Sequence, residues 1–413
     1  MAPMTRAAPS SIAITGMGVI SAIGVGVADF AEGLFGARIG LRVVDDLEGE
    51  PAQACGRVRD FAPRARMSPR TLRRLPRLAQ MALVAAHEAV EEARCAELPP
   101  ERVGVVVGTG LGALQTTVDF MREYLTLGPA QANPALFPAS VMNAAAAYIS
   151  MELGLKGYST TVNHKDASAL EAVALAADLL RLGRADAIVC GGADEVSAAA
   201  AHGYRRFGAL ARSGVARPFD RRRDGLCLGE GAAMFVLEPL EAARGRGARI
   251  LATVGGVGLG AEPRGPLSWD GDGAGAAATI ARALAEAGLG ADAVDHVVAG
   301  ANGTRQLDRL EAAVLGRVFG ARPVATSSII GQTGDCHSAS GLRLAAAVLA
   351  LERQRLAGTA GFEEPDPEAP VPGLVTAPRA AALDTALVCA HATGGAEVAL
   401  LLRRGAAPRP DAP

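Results

Sequence analysis

Cysteine is sparse and unpaired in this chain of 413 residues: Cys55, Cys95, Cys190, Cys227, Cys336 and Cys389 are scattered, with no CxxC. That pattern excludes a zinc ribbon or a disulfide framework and fits a reducing compartment. Aromatics make up only 4% of the residues, so a large core has to be assembled from Ala, Val, Leu and Ile. Lysine is nearly missing. Lys156 and Lys165 are the only two, and arginine carries the rest of the positive charge. The formal net charge is −2 with acids and bases interspersed, which gives neither a nucleic-acid stripe nor a polybasic membrane patch. No apolar run reaches membrane-spanning length, and Met1–Ser10 has no signal-type apolar stretch. A soluble cytoplasmic protein is the expectation.

What is present is an alternation of short β-branched runs with Ala/Leu helices, the pattern of a layered α/β fold. Ser11–Thr15 starts a strand, with Gly16 and Gly18 marking a turn after it. Leu72–Ala93 reads as one long amphipathic helix. Arg102–Val107 and Ala185–Cys190 read as strands, the second ending at Gly191-Gly192. A second series follows: strand Ile250–Val257, helix Gly273–Ala287, strands Val294–Val298 and Val324–Thr326, and helix Gly341–Leu351. It closes with Ala386–Ala390 and Glu397–Leu402 around Gly394-Gly395. The similar rhythm suggests two duplicated halves, residues 11–245 and 246–405, between loose termini 1–10 and 406–413. Thr359–Pro372, rich in proline and acid, reads as a surface loop. Gly16-Met17-Gly18 and Gly108-Thr109-Gly110 lack the full nucleotide fingerprint and read as strand-end turns.

One string is long, ungapped and specific: Arg217-Pro218-Phe219-Asp220, Arg223-Asp224-Gly225, then Gly229-Glu230-Gly231-Ala232. It resembles the RPFD…RDG…GEGA signature of β-ketoacyl synthases of the thiolase fold. The likeness extends through Thr15-Gly16-Met17-Gly18, Gly191-Gly192-Ala193 and Phe362-Glu363-Glu364-Pro365-Asp366-Pro367. It implies a thiolase-like layered αβαβα fold. Arg217, Asp220, Asp224 and Glu230 would then belong to a polar network supporting that fold.

The same resemblance marks losses. Where the family has T-A-C-A-S, this chain has Asn163-His164-Lys165-Asp166-Ala167-Ser168, with Asp166 at the cysteine position. The A-H-G-T histidine is Asn302, the G-H-x-x-G-A-A-G histidine is Asp335, the lysine five residues upstream is Ile330, and the gating phenylalanine is Thr393. Condensation needs a soft thiolate to hold the acyl group and imidazoles to stabilise an enolate oxygen. A carboxylate supplies neither, and losing a single oxyanion donor costs roughly 3–4 kcal/mol. The local reading of Asp166 is an N-cap for the helix that follows. His164 and His337 flank the position and offer substitute acid/base chemistry with Asp166 or Asp335; the competing reading of each is a hydrogen-bonded or exposed histidine. Their spacing matches no metal-ligand pattern, and no cofactor is implied.

A ketosynthase-like chain with these losses resembles the chain-length factors, or β subunits, of type II polyketide systems, aromatic or polyene. This implies a heterodimer with an active ketosynthase α subunit, acting on an acyl carrier protein through the complex. By alignment with that family, Leu114, Thr117 and Met121 fall on one helical face and line the chain-length gate. None is aromatic, which implies a long or slender chamber; the competing reading is core packing. The interface is expected along Thr160–Asn163 and Phe137–Tyr148. Two other readings stay open: an enzyme with substituted chemistry (decarboxylase, hydrolase or cyclase), and a non-catalytic acyl-binding scaffold.

Overall fold

The computed structural model describes residues 11–405 apart from 264, 266, 267, 270 and 338. The two terminal segments read as loose therefore lie outside the described residues.

Ten strands form the main path of one sheet: β1 (Ile12–Ser21), β2 (Val103–Gly108), β3 (Ser159–Val162), β4 (Ala187–Asp194), β5 (Gly231–Pro239), β6 (Ala252–Ala261), β7 (His296–Val298), β8 (Ala325–Ser327), β9 (Thr385–His391) and β10 (Ala396–Arg404). Their order across it is β8-β7-β9-β10-β6-β1-β5-β4-β2-β3. Each series of five lays its strands in the order first, fifth, fourth, second, third, and each repeats the other's parallel and antiparallel pairings. The two series meet at β1 and β6, which share only the register Ile12–Val254 to Ile14–Ala252.

Six helices have 14 residues or more, α1 (Arg77–Ala93), α2 (Leu114–Leu127), α3 (Ser168–Arg181), α4 (Ala274–Ala287), α5 (Arg305–Phe319) and α6 (Ala339–Arg353), and all but α2 pack into the cores around these strands. Period-two alternation in the strands feeds separate cores. Val106 of β2, Val388 of β9 and Leu400 of β10 join α3 and α6 in a central core. Val105 and Val107 instead pack with α1, and Leu387 and Leu401 with α4 and α5. The layer order is therefore helix, sheet, helix, sheet, helix. Helix α6 is buried from Ala339 through Leu351, Ser340 and Arg343 included, as befits the helix at the centre of the layers.

Three local expectations are corrected. Gly16 and Gly18 do not turn the chain, because β1 continues through both to Ser21. A Cβ at Gly16 or Gly18 would fall 2.1 Å from Ala89 O or 1.9 Å from Ala85 O, so these glycines admit the backbone of α1 against the strand. The long helix begins at Arg77, after a separate turn at Pro69–Leu72; Pro76 is extended and restricts Leu75 before it. Strand β4 runs past Gly191-Gly192 to Asp194. The Thr359–Pro372 segment is irregular but tied down, with Thr359, Asp366 and Ala369 buried.

Candidate functional site

The site is assembled where β3 hands over to α3. After Val162 the chain makes a short 3-10 turn, Lys165–Ala167, with Lys165 in the left-handed region at φ 48°. The Ser168 hydroxyl braces this elbow, accepting from His164 N at 2.9 Å and lying 2.6 Å from Lys165 O. Asp166 is not the cap of α3. The inserted turn puts Ala167 at the N-cap, no side chain caps the helix, and the Asp166 carboxylate turns toward His337 instead.

Asp166 Oδ1 lies 3.2 Å from His337 Nδ1, and Tyr204 Oη lies 3.0 Å from His337 Nε2. Burial pulls His337 toward its neutral form. The bond to Asp166 and the charges of Asp166, Asp194 and Asp335 outweigh this and push its pKa up to about 9. At neutral pH the ring is an imidazolium that donates from Nδ1 to Asp166 and from Nε2 to Tyr204. Asp335 is pushed up to about 6, first by burial and then by the neighbouring Asp166. Its partner is Asn302, whose Nδ2 donates to Asp335 Oδ2 at 2.7 Å. Asn302 Oδ1 accepts from Thr304 N at 3.0 Å.

The other expected positions separate. His164 is 52% exposed and pairs with Glu171 on the outer side of α3, away from the Asp166–His337 pair. Its residue lies two before Asp166, and the 3-10 turn sends the two side chains apart. Ile330 is 1% exposed and packs with Cys336 and Ala339, so the lysine position has become apolar core. Lys165 Nζ donates to Thr393 Oγ1 at 3.1 Å, linking the elbow to the turn at Gly394-Gly395.

Two small cavities adjoin Asp166. One of about 20 Å³ lies among Asp166, Asp194, Tyr204, Asp335 and His337; another of about 10 Å³ reaches Arg343 and His391. Each is about the size of a single water. Outside them a cleft of about 800 Å³ is lined by Leu114, Lys165, Phe207, Trp269, Arg305 and Thr393, among others. Tyr204 and His337 line both the cleft and the inner 20 Å³ cavity, so they form the wall between them. Tyr204, Asp194 and Cys336, which lines both inner cavities, escaped the sequence reading. The first two reach the site across long sequence separations, and Cys336 stands in a motif read only for its histidine position.

Chemically, the cluster offers one imidazolium among three carboxylates. A thiolate-like nucleophile is missing from position 166. His337 is already protonated at neutral pH and cannot act there as a base. An enolate oxygen placed beside Asp335 and Asp166 would meet negative charge where condensation requires donors.

The signature residues hold up the fold in separate places rather than as one network. Asp220 accepts from Glu363 N at 2.6 Å, Glu364 N at 2.7 Å and Arg222 N at 2.8 Å. Arg217 pairs with Glu363, while Arg223 is fully buried and pairs with Asp366 and, at 3.7 Å, with Asp308. These residues strap the Phe362–Pro367 loop to the RPFD segment. Asp224 is elsewhere, accepting from Ser213 N and Oγ at 2.9 Å. Glu230 is elsewhere again, paired with Arg77 and accepting from Val58 N at 2.9 Å.

Helix α2, carrying the expected gate, contains no buried residue, so core packing does not explain it. Leu114 lines the large cleft, Thr117 Oγ1 lies 3.2 Å from Ser140 O, and Met121 is 43% exposed. Nearby, Phe137, Val141, Met142, Met151 and Tyr158 are also exposed, beside β3, which ends the sheet with one side unpaired. Among the described residues no helix is long and apolar enough to cross a membrane.

Residues 10–243 match the model of the β-ketoacyl synthase N-terminal domain, and residues 251–363 match that of its C-terminal domain. The chain belongs to the β-ketoacyl synthase family, with its thiolase-like fold. It is 34% identical over 424 aligned residues to the tetracenomycin polyketide synthase ketoacyl synthase alpha subunit of Streptomyces glaucescens, covering 97% of this chain and 99% of that one. It is 33% identical to the granaticin polyketide putative beta-ketoacyl synthase 1 of Streptomyces violaceoruber, covering 95% and 98%. Among solved structures, the ishigamide ketosynthase/chain length factor superposes with a TM-score of 0.89 at 31% identity, covering 96% of this chain and 100% of that one. This is a ketosynthase-like or chain-length-factor-like chain of the type II polyketide kind.

Proposed function

We propose that this chain is a non-condensing, chain-length-factor-like subunit. It pairs with an active ketosynthase, which supplies the cysteine and histidines, and it shapes the tunnel for a polyketide growing on an acyl carrier protein. The observation that carries the reading is the rewritten centre. Asp166 occupies the nucleophile position, Asn302 and Asp335 are bonded to each other, and the space beside them holds about one water, not an acyl chain. An apolar surface on α2 and beside β3 supports a partner at that face: Met121, Tyr124, Leu125 and Phe137 are exposed there. Leu114, Thr117 and Met121 serve as the gate in this reading.

Co-expression with a cysteine-bearing type II ketosynthase tests it. A stable one-to-one complex that elongates malonyl-loaded carrier, beside a lone chain that does not, is the expected result. Elongation by the purified lone chain would overturn it.

A second reading, an enzyme with substituted chemistry, is favoured by the Asp166–His337–Tyr204 chain of contacts. In that reading His337 acts as a general acid. Decarboxylation or thioester hydrolysis by the lone chain, lost in His337→Ala, would establish it. An inert homodimer that retains acyl chains would point to a scaffold.

A further inference from the structure

We infer that the consecutive carboxylates Asp194 and Glu195 are positioning residues that set the loop and first turn of α2, and with them the tunnel wall carrying Leu114, Thr117 and Met121. This rests on the chain-length reading above.

Neither α1 nor α2 is capped by a side chain of its own N-cap residue. Glu195 caps both. Its Oε2 accepts from Leu78 N at 3.0 Å in the first turn of α1, and its Oε1 accepts from Gln115 N at 3.1 Å in the first turn of α2. A carboxylate at the positive ends of two helix dipoles satisfies orphaned N–H groups on each. The preceding Asp194 holds the loop that leads into α2. It accepts from Thr109 Oγ1 at 2.9 Å, Gly110 N at 3.0 Å and Leu111 N at 3.2 Å. Both carboxylates are nearly buried, and Asp194 is itself fixed by sheet pairing with Gly231 at the end of β4.

The two helices are unequal partners in this clamp. Helix α1 is seated in the core, with its backbone against Gly16 and Gly18, and serves as the fixed reference. Helix α2 has no buried residue. Its other ties include an exposed Arg122–Glu48 pair, Glu123 accepting from Asn133 N at 2.8 Å, the Thr117–Ser140 contact, the Phe120–Phe137 ring pair at 5.6 Å and packing against the short helix Ala198–Arg206. Exposed pairs of this kind hold a helix weakly. The clamped loop also touches both neighbouring regions. A Cβ on Gly110 would fall 2.0 Å from His337 Cβ, and Asn163 Nδ2, at the end of β3, donates to Gly110 O at 3.0 Å. The loop is thus packed between the rewritten centre and the sheet edge.

The test compares Glu195→Gln, Glu195→Ala and Met121→Trp in the complex with a condensing partner. Product lengths are read by mass spectrometry and backbone exchange by deuterium uptake. Gln keeps one oxygen for two N–H groups, and Ala keeps none. The expectation is at least tenfold faster exchange over residues 109–127 in Glu195→Ala, a smaller rise in Glu195→Gln, and products broadened from one dominant length to two or more in the same order. Exchange over 109–127 equal to wild type overturns the inference, as does an unchanged product pattern in Glu195→Ala when Met121→Trp alters it. If Met121→Trp changes nothing, the chain-length reading fails instead, and the exchange rates alone decide whether the clamp exists. If Glu195→Ala does not fold, Glu195→Gln decides by the same criteria.

Discussion

The strap around Asp220 and the centre around Asp166 are both crowded with carboxylates, yet Asp220 and Asp366 of the strap hold their protons in the opposite way to Asp335 of the centre, while Asp308, beside Arg223, is raised by burial as the centre is. In the strap, burial raises Asp220 and Asp366, but backbone donors for both and the Arg223 guanidinium for Asp366 outweigh it and hold each below the usual range. In the centre, burial and mutual repulsion win: Asp335 rises to about 6 and the adjoining Glu195 to about 7. Family residues that support the fold kept their donors. Asp166, Asp194 and Asp335 are acids that face one imidazolium. The difference teaches that the centre is electrostatically costly at neutral pH, whereas the strap is a source of stability.

The largest effect should come from breaking the strap. Arg223→Ala strands Asp366 and Asp308 without their buried cation, and an orphaned buried charge costs about 3–5 kcal/mol. Thermal unfolding should drop by roughly 5–10 °C, or the chain should become insoluble. A loss under 1 °C would remove the strap from the account.

The pH dependence of wild-type stability sharpens the contrast. Asp335, Glu195, His337 and Asp308 (about 7, raised by burial) all bind protons more tightly folded than unfolded. These groups make stability fall as pH rises; His296, lowered to about 3 by burial, and His87, also lowered, oppose them only below about pH 6.5, where the three carboxyls outnumber them. The carboxyl contributions disappear between about pH 4 and 7, and the His337 contribution between about 6.5 and 9, each proton difference giving about 1.4 kcal/mol per pH unit. The unfolding midpoint should decline from pH 5 through pH 9; a flat or rising profile contradicts the assignment.

A smaller effect isolates one member. Asp335→Asn keeps an acceptor for Asn302 while removing the charge. It should be nearly neutral at pH 3, where folded and unfolded chains both hold the proton, and should become stabilising as pH rises from about 4 to 6, reaching about 1–3 kcal/mol at pH 8. Equal shifts at both pH values would show that repulsion is not the cause. Smallest in stability is Met121→Trp, at a half-exposed position, expected within about 0.5 kcal/mol of wild type while shortening the products of the complex.

Much of the architecture was legible because it rests on local pattern. The valine-rich stretch Arg102–Val107 placed β2, the Ala/Leu run Gly341–Leu351 placed α6, and the RPFD string identified the family. Glycine roles were less legible: Gly16 and Gly18 are local turn signals, and only the packing of α1 shows that they admit a helix backbone. At the centre, the sequence singled out Asp166, Asn302 and Asp335, and the structure brings them near one another. It could not choose between His164 and His337. That choice depends on a one-turn 3-10 insertion, which also removed Asp166 from the N-cap. The Asp194-Glu195 clamp left only a faint mark, two acids at the end of an apolar strand, since the donors to Glu195 come from 80 and 117 residues away.

The most direct test of a silent centre is the malonyl-elongation rate of the reconstituted pair, with Asp166→Ala in this chain or Cys→Ala in the partner. The account predicts that the first variant stays within about twofold of wild type and the second abolishes product. Loss of elongation in a folded, one-to-one Asp166→Ala complex would contradict it.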